Sequence, residues 1–80
     1  MPNPVFNPDL SVYEFARLEF FEQRQHLGLA LAGWMYNLAV PSATVFMAKI
    51  QRAARQQALD PSEILVQAAK DARDAKELLS

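Results

Sequence analysis

The sequence predicts an all-α fold of three helices, one long and the last two forming a helical hairpin, behind an extended proline-rich N-terminal arm. Three features carry this expectation. The prolines stand at 2, 4, 8, 41 and 61, so they punctuate the chain into segments long enough for helices. Between them apolar residues recur at three- and four-residue intervals, the period of a helix face. Only two glycines occur, and no stretch alternates apolar with polar in the manner of a strand.

Residues 1–8, MPNPVFNP, form the arm. Three prolines in eight positions forbid a helix and favour polyproline-like extension, leaving Val5 and Phe6 as its apolar side chains. A first helix is expected over 9–40. It starts either at Asn7 ahead of Pro8 or at Ser11, with Glu14 three residues on as a capping box, and it ends at Pro41. At about 1.5 Å per residue it would run roughly 45 Å, longer than an eighty-residue globule is wide. Gly28 and Gly33 are the places where it could bend.

A second helix is expected over 42–58, opening at Ser42. The third, over 61–79, has the clearest start: Asp60 as cap, Pro61 at the first helical position and Glu63 in the first turn, where the helix dipole favours an acid. Its Leu65, Ala68, Ala72, Ala75 and Leu79 make a narrow seam that admits close approach of another helix. The charges of its other face form i, i+4 pairs, Lys70 with Asp74 and Arg73 with Glu77, as a solvated surface does.

Eighty residues make one small domain, and helices of that total length bury little surface, so stabilisation by a partner or by self-association is expected. There is no cysteine and a single histidine, which removes disulfides, thiolate sites and multi-histidine metal chemistry. Net charge is −1, which supplies no electrostatic footprint for nucleic acid or an anionic membrane. Met1-Pro2-Asn3-Pro4 lacks the basic and apolar regions of a secretory leader, so the expected compartment is the cytoplasm.

The most distinctive stretch is HLGLALAGWMYNLAVPSATVFMA, residues 26–48, which carries no formal charge. Positions 27–40 are apolar all round the helix, more than one neighbouring helix can cover. Pro41-Ser42 divides the stretch into pieces too short to span a bilayer, which favours a core-plus-interface reading. The alternative is a membrane-inserting hairpin through residues 26–48, with Lys49, Arg52 and Arg55 on the inner side.

Catalytic patterns are absent: there is no G-x-S-x-G, phosphate loop, dinucleotide-binding glycine pattern or H-E-x-x-H. The carboxylate pairs Glu19/Glu22 and Asp71/Asp74 have nothing converging on them, and Glu22 with His26 one turn later reads as a surface or seam histidine. Trp34, Met35, Tyr36, Phe46 and Met47 read as core or interface rather than a cofactor box. No enzyme, cofactor or metal is expected.

The chain therefore reads as an assembly, adaptor or inhibitor protein that acts by protein–protein association, as a homo-oligomer or within a larger complex. Its expected contact residues are a heptad-like seam of Tyr13, Phe20, Leu27 and Trp34, with Arg17, Arg24, Leu31 and Leu38 beside it, and Val5 and Phe6 clipping the arm to a neighbour. Arg17 and Arg24 would fix register through partner carboxylates. A second alternative is a helix-turn-helix DNA-binding module over 42–79. Against it, the would-be recognition helix, counted with Asp60, holds five acids to three bases.

Overall fold

A computed structural model describes residues 9–36 and 42–79, with side chains to residue 74. The described residues are helical, with no strand: α1 Val12–Ala16, α2 Phe20–Met35, α3 Ala43–Gln57 and α4 Pro61–Leu79. The proline-rich arm lies outside the described residues, and so do positions 37–41, where the first helix was expected to end.

The expected three helices are four, because the segment 9–40 is not one helix. Ser11 opens α1, its Oγ accepting from the Glu14 N–H at 3.0 Å. After five residues the chain leaves the helix at Arg17–Glu19, and Glu19 takes an extended conformation (φ −64°, ψ 152°) as N-cap of α2. Glu22 Oε1 accepts from the Glu19 N–H at 3.2 Å, which satisfies one of the orphan donors of the new helix. The carbonyls at the end of α1 are taken by side chains from elsewhere: Gln23 Nε2 donates to Phe15 O at 3.0 Å, and Gln56 Nε2 donates to Ala16 O at 2.8 Å. The break costs few hydrogen bonds and lets α1 fold back beside α3, so no 45 Å rod results.

Helix α3 is capped by Ser42, whose Oγ accepts from the Val45 N–H. It ends at Ala58 in the left-handed conformation (φ 55°), a form that alanine adopts at some cost and that here turns the chain within three residues into α4. Asp60 Oδ1 receives both the N–H and the hydroxyl of Ser62, and Glu63 returns a carboxylate oxygen to the Asp60 N–H.

Helix α2 lies at the centre, against α3 on one side and α4 on another. That position answers its all-round apolar middle: Leu27, Gly28, Leu29, Ala30, Ala32 and Gly33 are all buried. The main core gathers Phe15 of α1, Leu27 and Ala30 of α2, Phe46, Ile50, Ala53 and Ala54 of α3, and Ile64 and Ala68 of α4. A smaller cluster joins Leu29 and Ala32 to Ala72. Of the expected α4 seam, Ala68 and Ala72 are used inside the chain; Leu65 is exposed, with Ile64 in the core instead, and the side chains of Ala75 and Leu79 lie outside the described ones. Gly28 gives the closest approach, since a Cβ there would stand 2.8 Å from Asp71 Cβ. None of the helices in the described residues is long and apolar enough to cross a membrane.

Candidate functional site

Two features stand apart from ordinary helix packing, and α2 contributes to both. The first is polar and buried. Gln23, His26 and Lys49 are each at most 1% exposed, inside a core that is otherwise apolar. Lys49 Nζ lies 2.8 Å from His26 Nε2, joining α3 to α2, and the Phe15 ring of α1 stands 5.6 Å from the imidazole between centroids. Burial of the ammonium pushes the Lys49 pKa below its ordinary value, and the attraction of Asp9 offsets this only in part. Gln23 Nε2 donates to Phe15 O and to Gln56 Oε1 (2.8 Å), whereas its own Oε1 is buried with no hydrogen-bond partner. An amine of lowered pKa beside an imidazole has the ingredients of a nucleophile and base. With both groups fully covered, no substrate atom reaches them in this conformation.

The second feature is an open groove of about 290 Å³ between α2 and α4. Phe20, Leu27, Leu59, Ile64 and Ala68 form its apolar surface, and Arg24, Glu63, Gln67 and Asp71 bring polar groups. Arg24 holds Asp71 through contacts of 3.3–3.4 Å, and Gln67 Nε2 donates to the same carboxylate at 3.2 Å. The groove is near the lower end of the roughly 300–1,000 Å³ of small-molecule pockets, while an apolar cavity of about 150 Å³ already holds a benzene ring. It has room for one aromatic side chain. Leu59 of the lining is 43% exposed, and Phe21, next in the chain to Phe20, is 68% exposed.

The residues expected to meet a partner fall into several environments. Leu27 is in the chain's own core, and Leu31 and Trp34 are half-buried against it, Trp34 edge-on to Phe46 at 4.8 Å between centroids. Arg24 pairs with Asp71 of its own chain. Tyr13 and Arg17 are exposed, with the guanidinium 6.0 Å above the Tyr13 ring. Phe20 lines the groove. Val5, Phe6 and Leu38 lie outside the described residues. The structure therefore brings Phe20, Arg24 and Leu27 together but separates them from Tyr13 and Arg17, which sit across the break before α2.

Sequence periodicity missed Phe21, Leu59, Gln23 and Lys49. Phe21 is missed because a register carried through Leu18 and Glu19 misplaces everything after the break; Lys49 because a lysine is assigned to solvent by default. With Lys49 turned inward, the exposed basic side chains of α3 are Arg52 and Arg55, and the next charges along the chain are the acids Asp60 and Glu63. That is a thin basic surface for a DNA groove. No group of three or more metal-ligating side chains gathers among the described residues. No family model matches the chain, and neither a curated protein nor a solved structure matches it.

Proposed function

We propose that this protein acts by association with other protein chains and not by catalysis, and that its docking surface is the α2/α4 groove with the shoulder formed by Phe21. The occupant we assign is a second copy of the same chain. The carrying observation is that an exposed aromatic, Phe21, stands one residue from Phe20, which lines a groove of about 290 Å³. A two-fold interface needs one patch that is its own complement. Here the exposed ring follows a groove-lining ring directly in the chain, and the groove's lining holds both signs of charge, Arg24 with Glu63 and Asp71. Phe21 of each copy entering the groove of the other satisfies that condition.

The apolar surface involved is modest, which places the pairing among small, reversible interfaces below about 1,200 Å². Light scattering across a concentration series tests it. The expected mass rises from the 9.0 kDa of one chain toward twice that value. Phe21→Ser should keep the helix content and hold the mass at one chain. A single-chain mass at every concentration, or a dimer indifferent to Phe21→Ser, overturns the assignment.

A further inference from the structure

Helix α1 is held to the rest of the molecule by contacts that do not require it to belong to the same chain. Phe15 is 0% exposed in the core that α2, α3 and α4 share, and Leu10 packs against the same cluster. Gln23 and Gln56 cap its last carbonyls, at Phe15 O and Ala16 O. Five residues make too short a helix to persist by themselves, so α1 exists through this packing. Among the described helices it is joined to α2 only, through Arg17–Glu19, and it can leave and return without threading the chain.

That join is poised between two forms. Arg17, Leu18 and Glu19 are all good helix formers, with no proline or glycine among them. Arg17 keeps right-handed helical angles (φ −88°, ψ −8°), and Glu19 departs through ψ alone (φ −64°, ψ 152°). Straightened, residues 12–35 would be one helix. In it the Glu19 and Phe20 N–H groups bond the Phe15 and Ala16 carbonyls, which the two glutamines hold in the bent form. A chain that opens by itself leaves the Phe15 site in water and gains too little to stay open. The segment that fits that site is α1, and a second opened copy supplies one.

We propose that α1 is exchangeable between two copies of this chain: Arg17–Glu19 straightens in both, and the Phe15 of each copy fills the core of the other. The packing and the glutamine caps recur across the exchanged pair. The balance therefore rests on the hinge, where helix continuation favours exchange, and on the freedom lost by pairing, which opposes it. The exchange does not depend on the groove pairing, in which each α1 stays on its own chain.

The chain has no cysteine, so Ala16→Cys with Gln56→Cys gives it a single pair, at positions that touch in the bent form through the 2.8 Å contact. This protein is unfolded in urea, refolded at high concentration, diluted, separated by size and treated with a short bismaleimide. Exchange predicts a dimer that survives the dilution and is linked between chains, running on a denaturing gel at twice the 9.0 kDa of one chain. A groove dimer disperses on dilution and links within each chain. Glu19 is exposed and is not among the residues of the core or the groove, so it tunes the hinge. Asparagine caps a helix well and alanine poorly, a difference of about fivefold per hinge and so about 25-fold for the two hinges of a dimer. With the cysteine pair common to both, Glu19→Ala should therefore raise the dimer constant by that factor over Glu19→Asn. A refolded dimer linked only within its chains, no persistent dimer even in Glu19→Ala, or equal dimer constants for Glu19→Ala and Glu19→Asn overturns the proposal.

Discussion

Replacing Gly28 by alanine sets two effects of opposite sign against each other, and the geometry decides between them. In an exposed helix interior the change stabilises by about 1 kcal/mol, since alanine has less backbone freedom to lose. At Gly28 the new methyl would stand 2.8 Å from Asp71 Cβ, 3.4 Å from the Asp71 carbonyl carbon and 3.7 Å from Ala72 N. Carbon atoms prefer about 3.5–4.0 Å, so α4 must retreat by roughly 0.7 Å at this level. Asp71 Cβ is fixed to its backbone and cannot rotate aside. The retreat stretches the Arg24–Asp71 contacts beyond their present 3.3–3.4 Å and opens gaps beside Ala68 and Ala72. Overpacking of this kind costs about 1–3 kcal/mol, and loosening a half-exposed ion pair adds less than about 1 kcal/mol. The expected net loss is about 1–2 kcal/mol, read as a lower urea midpoint with unchanged slope in unfolding followed by circular dichroism. A raised midpoint would show that α4 does not pack on Gly28.

Three further outcomes follow from single contacts. Phe15 is the one buried side chain of α1, so Phe15→Ala should cost about 3–5 kcal/mol, a large part of the roughly 4–12 kcal/mol expected for eighty residues; a thermal midpoint within a few degrees of wild type would contradict that packing. Trp34 is half-buried on Phe46, and Trp34→Ala should lower unfolding stability by roughly 2 kcal/mol without changing the mass in solution, because the ring contacts its own chain; loss of the dimer with unchanged stability would move Trp34 to the interface. Asp60 accepts from the Ser62 hydroxyl and N–H, which holds its pKa below 3.8. Its contribution is therefore present above that value and lost as pH falls through the lower folded value. Asp60→Asn keeps the acceptor, so the helix signal between pH 4 and 2 should fall less steeply than in wild type.

Three of the four helix starts were legible because each is written into a side chain that bonds the first turn: Ser11, Ser42 and Asp60. The charge-free, all-round apolar middle of α2 marked a segment that one neighbouring helix cannot cover, and α3 and α4 of the same chain cover its described part where a partner was expected. The break at Arg17–Glu19 was not legible, since no proline or glycine marks it. Its causes lie far along the chain, in Gln23 and above all in Gln56, forty residues from the carbonyl it bonds. The groove was equally hidden. It depends on how Leu59 and Ile64 face Phe20 once α1 has folded away, and periodicity within one helix carries no information about that.

The same long-range polar contacts explain how α2 and α3 find one alignment. The apolar surfaces between them are rich in alanine, with Ala30 facing a core that includes Ala53 and Ala54, and small side chains leave neighbouring registers similar in packing. Gln23 bonds Gln56 while His26 meets Lys49, so the lower number on α2 goes with the higher on α3, as an antiparallel pair requires. A slip by one turn would leave a buried amide and a buried ammonium without partners, at about 1–3 kcal/mol for the first and more for the second. Burying Lys49 is itself unfavourable, as its lowered pKa records, so the pair specifies the fold more than it stabilises it. Substituting both members, His26→Leu with Lys49→Met, should therefore raise stability and flatten its pH dependence while broadening the NMR lines of α3. Sharp lines and unchanged α2–α3 contacts in that double variant would show that the apolar residues fix the register alone.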